Sequence, residues 1–399
     1  MFKHQRASKG AFVLAVAVAG SLAAGSVAAA GTTSTSAGHE RLREVMTRLT
    51  TVDGGPGALV QVRDRRGSAV LTSGVADVKS QAPVRGDSTF RIGSMSKMFV
   101  ATTVLQLVGE HRVSLDAPVE RYLPGVIRGA DNDGREISVR QLLQHTSGLP
   151  DYLKYIKPQD VIQDPLAHHD TRDMVKVALA HKRDFKPGDG WHYSNTNYLL
   201  AGMLIEKVTG HSYGQEIRHR IIKPLKLRET YVPGDSSVIP GPHPRGYARP
   251  GANAPLIDIT AINPTVAGAA GGMISSATDL NHFMAALVRG KLLRPAQLRE
   301  MMRTRSTDDG SNDGSSDGSS DGDGSSGRAY GLGLESNPLP CGGVYWGHSG
   351  DVLGYQSMGG VTTDGRQATV MVNLDPGGTD AQDDDVKAAV ETALCEAES

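Results

Sequence analysis

The sequence predicts an α+β fold, an antiparallel sheet flanked by helices, with an all-α subdomain inserted into it. Three observations lead there. Short apolar strands punctuated by turn residues occur near both ends of the chain. Between about 110 and 270 the texture changes to helices, prolines and long loops. Helical periodicity also brackets the strands at each end, so sheet and helices can cover one another. The α/β part takes about 40–109 and 271–399, the helical insertion about 110–270, within one domain of 40–399.

Taken in order, RLREVMTRLTTV spaces its apolar residues as an amphipathic helix does. ALVQV and SAVLTSG read as two strands joined by a turn at DRRG. A helix opens at Ser94 in RIGSMSKMFVATTVLQLV, and Met98, Phe99, Val100, Val104, Leu105 and Val108 mark it as buried. ISVRQLLQH, RDMVKVALAH and NYLLAGMLIEKVTG supply helices of the insertion, and helix resumes at SATDLNHFMAALVRG. VYWGH, LGYQSMGGVTT and ATVMVNL return to strand, closed by a helix at DVKAAVETALCEA. Residues 306–327, STDDGSNDGSSDGSSDGDGSSG, hold no apolar side chain and read as a disordered acidic loop, with weak calcium binding as the alternative. GSSDG in this stretch matches the nucleophile-elbow pattern G-x-S-x-G, but it has neither the strand nor the helix that the elbow needs.

Lys3, Arg6 and Lys9 precede FVLAVAVAGSLAAG and the small residues Ala28 to Ala30, the layout of a signal peptide over 1–30 cleaved near Ala30. Secretion is the expectation; an uncleaved anchor is the alternative, and no stable membrane insertion is expected elsewhere. Charge is balanced, 42 Lys and Arg against 43 Asp and Glu, which argues against a broad nucleic-acid surface. The two cysteines, Cys341 and Cys395, read as a disulfide of an oxidising compartment, with two buried thiols as the alternative. They are too few for a metal site.

Ser94 and Lys97 lie three residues apart at the front of the buried helix, on one face. A serine hydroxyl is a poor nucleophile without a base, and Lys97 can serve as one if burial lowers its pKa. A Ser N-cap beside a snorkelling Lys is the plainer reading of S-x-x-K. In DGWHYSNTNYLLAG, Tyr193 offers a second candidate base and Asn195 a donor to a substrate carbonyl. In YWGHSGDVLGY, His348 sits on a strand with Ser349 and Gly350, where an extended substrate can pair. The backbone N–H of Asp351, with that of Ser94, can form an oxyanion hole. HHD at 168–170 reads as a solvated loop.

In this order, S-x-x-K, Y-x-N and H-x-G, the chain resembles the serine β-lactamase-like superfamily, on the side of class C β-lactamases and secreted serine D-alanyl-D-alanine carboxypeptidases. LLQHTSGLPDY, FKPGDGWHYSNTNYLLAGMLIEKVTG and AGGMISSATDLNHFMAALVRG extend the resemblance over about 40–399. The resemblance implies a β-lactamase/transpeptidase-like fold and an acyl-enzyme on Ser94, activated by Lys97. It implies Tyr193 as general base and acid, Asn195 as a substrate and lysine contact, and His348 as the electrostatic element on the strand. The implied substrates are small peptides, amides, esters or β-lactams, with no metal and no cofactor. Implied activities are a carboxypeptidase-like, penicillin-binding enzyme first, then an esterase, a D-aminopeptidase or a class C-like β-lactamase. A β-lactam binder that is acylated without turnover is the non-enzymatic alternative. The resemblance also places an Arg before the H-x-G strand to hold a substrate carboxylate. Here Glu335 stands near that place and Asp351 follows Gly350, so Glu335 is a candidate selectivity residue that favours a neutral or cationic group.

Overall fold

Period-two alternation builds the sheet. In β1 (Gly57–Arg63), Leu59 turns to one side and Ala58, Val60 and Val62 to the other, and all four are buried. With helices on both faces, such strands read as nearly continuous apolar runs. The protein is described by a computed structural model that covers residues 39–251, 254–307, 327–377 and 381–396. The signal-peptide segment 1–30 lies outside these residues, as do residues 308–326 of the acidic loop.

The other strands of this sheet are β2 (Ser68–Asp77), β3 (Ala82–Pro83), β4 (Arg305–Ser306), β5 (Ala329–Tyr330), β6 (Glu335–Pro338), β7 (Val344–Val352), β8 (Tyr355–Val361) and β9 (Gln367–Val372). All nine pair antiparallel in the spatial order β4-β5-β6-β7-β8-β9-β1-β2-β3. β9 joins β1 with Ala58 opposite Val372 and Val62 opposite Ala368, so the two ends of the sequence share one sheet. The residues between β3 and β4 form an excursion from it.

Five longer helices matter here: α1 (Glu40–Thr51), α2 (Ser96–Gly109), α3 (Asn195–Thr209), α4 (Ala277–Val288) and α5 (Ala381–Glu396). Leu42, Val45, Met46 and Leu49 of α1 join Val386, Val390 and Leu394 of α5 against Val60, Val370 and Val372 of the sheet. The opposite face, with Leu59 and Met371, packs on α2, α4 and the insertion in a second core. Phe99 of α2 stacks on Phe283 of α4 with ring centroids 3.7 Å apart. Aromatic contacts of this kind add about 1 kcal/mol beyond area burial. Among the described residues no helix is long and apolar enough to cross a membrane.

The insertion departs from the all-α expectation at two places. Arg128–Gly129 pairs with Asn132–Asp133, and Tyr247–Ala248 pairs with Ile257–Asp258. The first is a tight hairpin whose central residues, Ala130 and Asp131, both adopt positive φ, as a primed turn requires. The sequence carries no glycine at those two positions, so the turn left no signal there. The described residues from 39 onward form one compact unit, with the insertion packed into the same core.

Cys341, in the loop between β6 and β7, is disulfide-bonded to Cys395 near the end of α5, 54 residues later. Closing a loop of that length removes chain entropy from the unfolded state worth about 4 kcal/mol.

Asp53 follows α1 and is buried, 3% exposed. Burial and the nearby Asp385 carboxylate push its carboxyl up from 3.8 to about 6, while Arg48 binds Asp385 with its Nε 3.0 Å from Oδ2. The folded state then holds a proton that the unfolded chain releases, so stability falls as pH rises from 3.8 to about 6. Asp53→Asn should raise the melting temperature at neutral pH and leave it nearly unchanged below about pH 4, near the ordinary Asp pKa. Thermal denaturation across that range checks it; an equal gain at both ends would show that charge is not the cause.

Candidate active site

The short strand Thr89–Arg91 pairs with Ile274–Ser276 and delivers the chain to a 3₁₀ turn, Gly93–Met95, that runs into α2. Ser94 therefore sits in the turn, one step ahead of the helix that the sequence places it on. Gly93 has φ of +46°, and a Cβ built there would fall 2.6 Å from Asp351 N. A Cβ on Gly350 would fall 2.1 Å from the Ile92 carbonyl oxygen. Glycine at both places lets the backbone of Ile92–Ser94 lie against Gly350–Asp351. β6 begins at Glu335, opposite Gly347, so among the described residues Ser349–Val352 pair with β8 alone. That edge is where an oxyanion hole of Ser94 N and Asp351 N can form.

Lys97 is fully buried, and its Nζ meets three oxygens: Ser94 Oγ at 2.8 Å, Asn195 Oδ1 at 2.7 Å and the Ala270 carbonyl at 2.9 Å. The last two can only accept, so each demands an N–H from the amine. The charged amine donates to all three oxygens; once it has given up a proton, its two remaining hydrogens serve the obligate acceptors and the lone pair is left for Ser94. The orientation of Asn195 is fixed in turn. Its Nδ2 donates to Asp151 Oδ2 at 2.8 Å, which turns Oδ1 toward Lys97. Asp151 also accepts from Leu153 N at 3.0 Å as the cap of a 3₁₀ turn. Burial raises its pKa, against these hydrogen bonds. Asp151 is a positioning residue that the sequence reading passed over inside LLQHTSGLPDY; its only local signal is that cap position.

Tyr193 lies beside the lysine, with Nζ 4.7 Å from the ring centroid. Its ring stacks on His145 at 4.3 Å between centroids. His145 is buried, and its Nδ1 accepts from Ser194 N at 3.1 Å with Asn197 Nδ2 also at 3.1 Å. Burial, then the Lys97 charge, hold its pKa well below the usual value, so the imidazole is neutral. Ser194 caps α3 at its N-terminal side, which makes Asn195 the first residue of that helix.

His348 is 1% exposed, its Nε2 2.8 Å from Tyr330 Oη and its Nδ1 2.6 Å from the Ser349 carbonyl. Burial lowers its pKa from 6.5 to about 4, outweighing Glu335, with Lys97 adding to the fall. At neutral pH the imidazole carries no charge. The electrostatic role expected of it gives way to a neutral hydrogen-bonding one. Tyr330, buried on β5, was missed by sequence because its strand is two residues long. Glu335 also departs from expectation. It is 1% exposed and meets Arg328 Nη2 at 2.8 Å, with His348 Nδ1 at 3.6 Å. Burial raises its pKa, but the adjacent Arg328 guanidinium outweighs that and holds it below the usual carboxylate range. Its charge is thus closed within the protein. Ser349 and Asp351 are partly exposed. His168 forms an exposed pair with Asp235, Nδ1 to Oδ1 at 2.5 Å, outside this constellation. Among the described residues no group of three or more His, Cys, Asp or Glu could hold a metal ion.

A family model described as Beta-lactamase matches residues 42–393. The chain belongs to the β-lactamase family. This family member is similar in structure to a D-stereospecific amidohydrolase from Streptomyces sp., 41% identical, with TM-score 0.78 over 88% of this chain and 98% of that one. It is similar to the D-amino acid amidase of Ochrobactrum anthropi SV3, 27% identical, with TM-score 0.74 over 90% and 99% of the two chains. Esterase EstB of Burkholderia gladioli is 33% identical over 165 residues, 39% of this chain and 41% of that protein. The matches to such curated relatives span 34% to 41% of the relatives' own length. As a β-lactamase-family protein this chain is a serine hydrolase.

Two outcomes follow from the geometry. Asp151→Ala should lower kcat roughly tenfold or more, because Asn195 loses the contact that orients it, whereas Asp151→Asn, which can still accept from Asn195, should recover most of it. Equal losses in steady-state kinetics of the two folded variants would show that orientation is not the role. The pH profile of kcat/KM should carry no limb from His348 near its unperturbed value of 6.5; a limb there that His348→Gln removes would contradict the buried neutral imidazole.

Proposed function

We propose that this β-lactamase-family enzyme is a D-stereospecific amidohydrolase, cleaving amides and esters of D-amino acids or short D-peptides through an acyl-enzyme on Ser94. The observation that carries the reading is the Lys97 amine, wedged between two obligate acceptors and the Ser94 hydroxyl. As Ser94 Oγ bonds to the substrate carbonyl carbon, its proton passes to Lys97 Nζ. The N–H groups of Ser94 and Asp351 take up the oxyanion, and the leaving amine receives a proton from the Tyr193 and Lys97 pair. Water then attacks the acyl-enzyme, and the same groups run in reverse.

Two features favour an amide over a free C-terminal carboxylate. The Arg328 guanidinium is held by Glu335, and His348 is neutral. Asp351 at the strand edge adds negative charge there. The similarity to a D-stereospecific amidohydrolase and a D-amino acid amidase agrees with this. The carboxypeptidase-like, penicillin-binding reading is second, favoured by the match to a penicillin-binding protein of Bacillus subtilis. We also place the enzyme outside the cytoplasm, a reading supported by the Cys341–Cys395 disulfide and the composition of residues 1–30.

The test compares D- and L-phenylalanine amide, a D-Ala-D-Ala peptide and a penicillin, with intact mass followed in each reaction. Turnover of the D-amide roughly tenfold or more above its enantiomer, about 1.4 kcal/mol in the barrier, and lost in folded Ser94→Ala, is the expected result. Faster turnover of the D-Ala-D-Ala peptide, or a long-lived penicillin adduct on Ser94 without amide turnover, would favour the second reading.

A further inference from the structure

A groove of about 510 Å³ lies on residues that do not form the Ser94 site: the β1–β2 turn, the exposed side of α4 and the β8–β9 turn. Arg63 and Arg65 come from the first, Arg289 and Lys291 from just past the end of the second, and all four are exposed. Among the described residues none of the four is in an ion pair. The two carboxylates at the groove are already engaged. Asp64 accepts from Arg66 N at 2.7 Å, Gly67 N at 3.1 Å and Arg66 Nε at 3.1 Å. Asp364 accepts from Arg366 Nε at 3.1 Å and from the Thr362 hydroxyl.

The floor is polar rather than greasy. Gln61, Asn281 and Gln367 are buried there, 7%, 2% and 5% exposed. Asn281 is held by the Gln61 carbonyl and by Thr369, and Gln367 by the Gly365 carbonyl. Gln61 donates to Ser68 Oγ at 3.3 Å, and its Oε1 has no hydrogen-bond partner. The Arg289 guanidinium lies over Gly365, where a Cβ would come within 2.6 Å of Nη2.

We propose that this groove binds a ligand carrying two or more linked phosphate groups. Arginine forks match phosphate oxygens in pairs, and the uncharged polar floor sets no carboxylate against them. Small-ligand sites fill about 300–1,000 Å³, so this one exceeds what a single phosphate needs. A chain of near-zero net charge that gathers four unpaired cations around one concavity concentrates its field there. The linked phosphates can come from a soluble oligophosphate or from a lipid headgroup that carries two, and the two sources are separable by experiment.

The probe is tripolyphosphate, titrated calorimetrically into the purified protein, with inorganic phosphate as the single-group control and vesicles containing cardiolipin, whose headgroup links two phosphates, as the lipid arm. Saturable binding of tripolyphosphate, weaker for phosphate and weaker at higher salt, is expected. Arg65→Gln/Arg289→Gln should weaken it roughly tenfold or more, and Arg63→Gln/Lys291→Gln should do so independently. Ser94-dependent hydrolysis should be unchanged in both pairs. Vesicle binding lost in the same variants, without tripolyphosphate binding, would assign the phosphates to a lipid surface. No binding of either probe, or binding that both variants keep, would overturn the proposal.

Discussion

The buried amine of Lys97 is the constraint on which the site depends. An amine cut off from water must have an acceptor for each hydrogen, since an unmet polar group in the interior costs about 1–3 kcal/mol. Its three oxygens come from three places: the Ser94 turn, the first residue of α3, and Ala270 on the segment that leads back to the sheet. Meeting that need locks the insertion to the sheet side of the molecule. Asp151 extends the same chain of contacts one residue outward, by deciding which way the Asn195 amide faces. Reactivity and fold are thus held by one set of hydrogen bonds.

A second polar set lies behind the strand edge and has the opposite character. Arg328, Glu335 and His348 satisfy one another in the interior, and Tyr330 takes the remaining imidazole nitrogen. Because Glu335 and Arg328 offset each other, the strand that faces substrate is stiffened without adding a strong net charge. His348 stays neutral because burial and the nearby Lys97 both oppose a proton. A pair closed on itself in this way contributes more to shape than to stability.

Backbone approach sets the remaining geometry. Gly93 and Gly350 remove the two Cβ atoms that would otherwise separate the Ser94 turn from β7, so two backbone N–H groups from remote parts of the chain can serve one oxygen. The strand can accept this neighbour because β6 begins only opposite Gly347 and leaves Ser349–Val352 uncovered on that side.

Much was determined by the sequence alone. The apolar runs marked β1, β2, β7, β8 and β9 and the buried α2, because alternation and helical spacing are local and survive without neighbours. Ser94, Lys97, Tyr193 and Asn195 were legible through their spacing and order along the chain, and the Cys341–Cys395 pairing through the cysteine count. Tertiary structure alone decided the rest. The edge strands β4 to β6 are too short to carry a pattern, and they exist because β7 offers a partner. The hairpin at Ala130–Asp131 has non-glycine residues at positive φ, which local preference disfavours and packing permits. The role of Asp151, the pairing of Glu335 with Arg328 and the neutrality of His348 all depend on burial and on partners remote in the chain. Charge state is set by surroundings, and a sequence lists the groups without their surroundings.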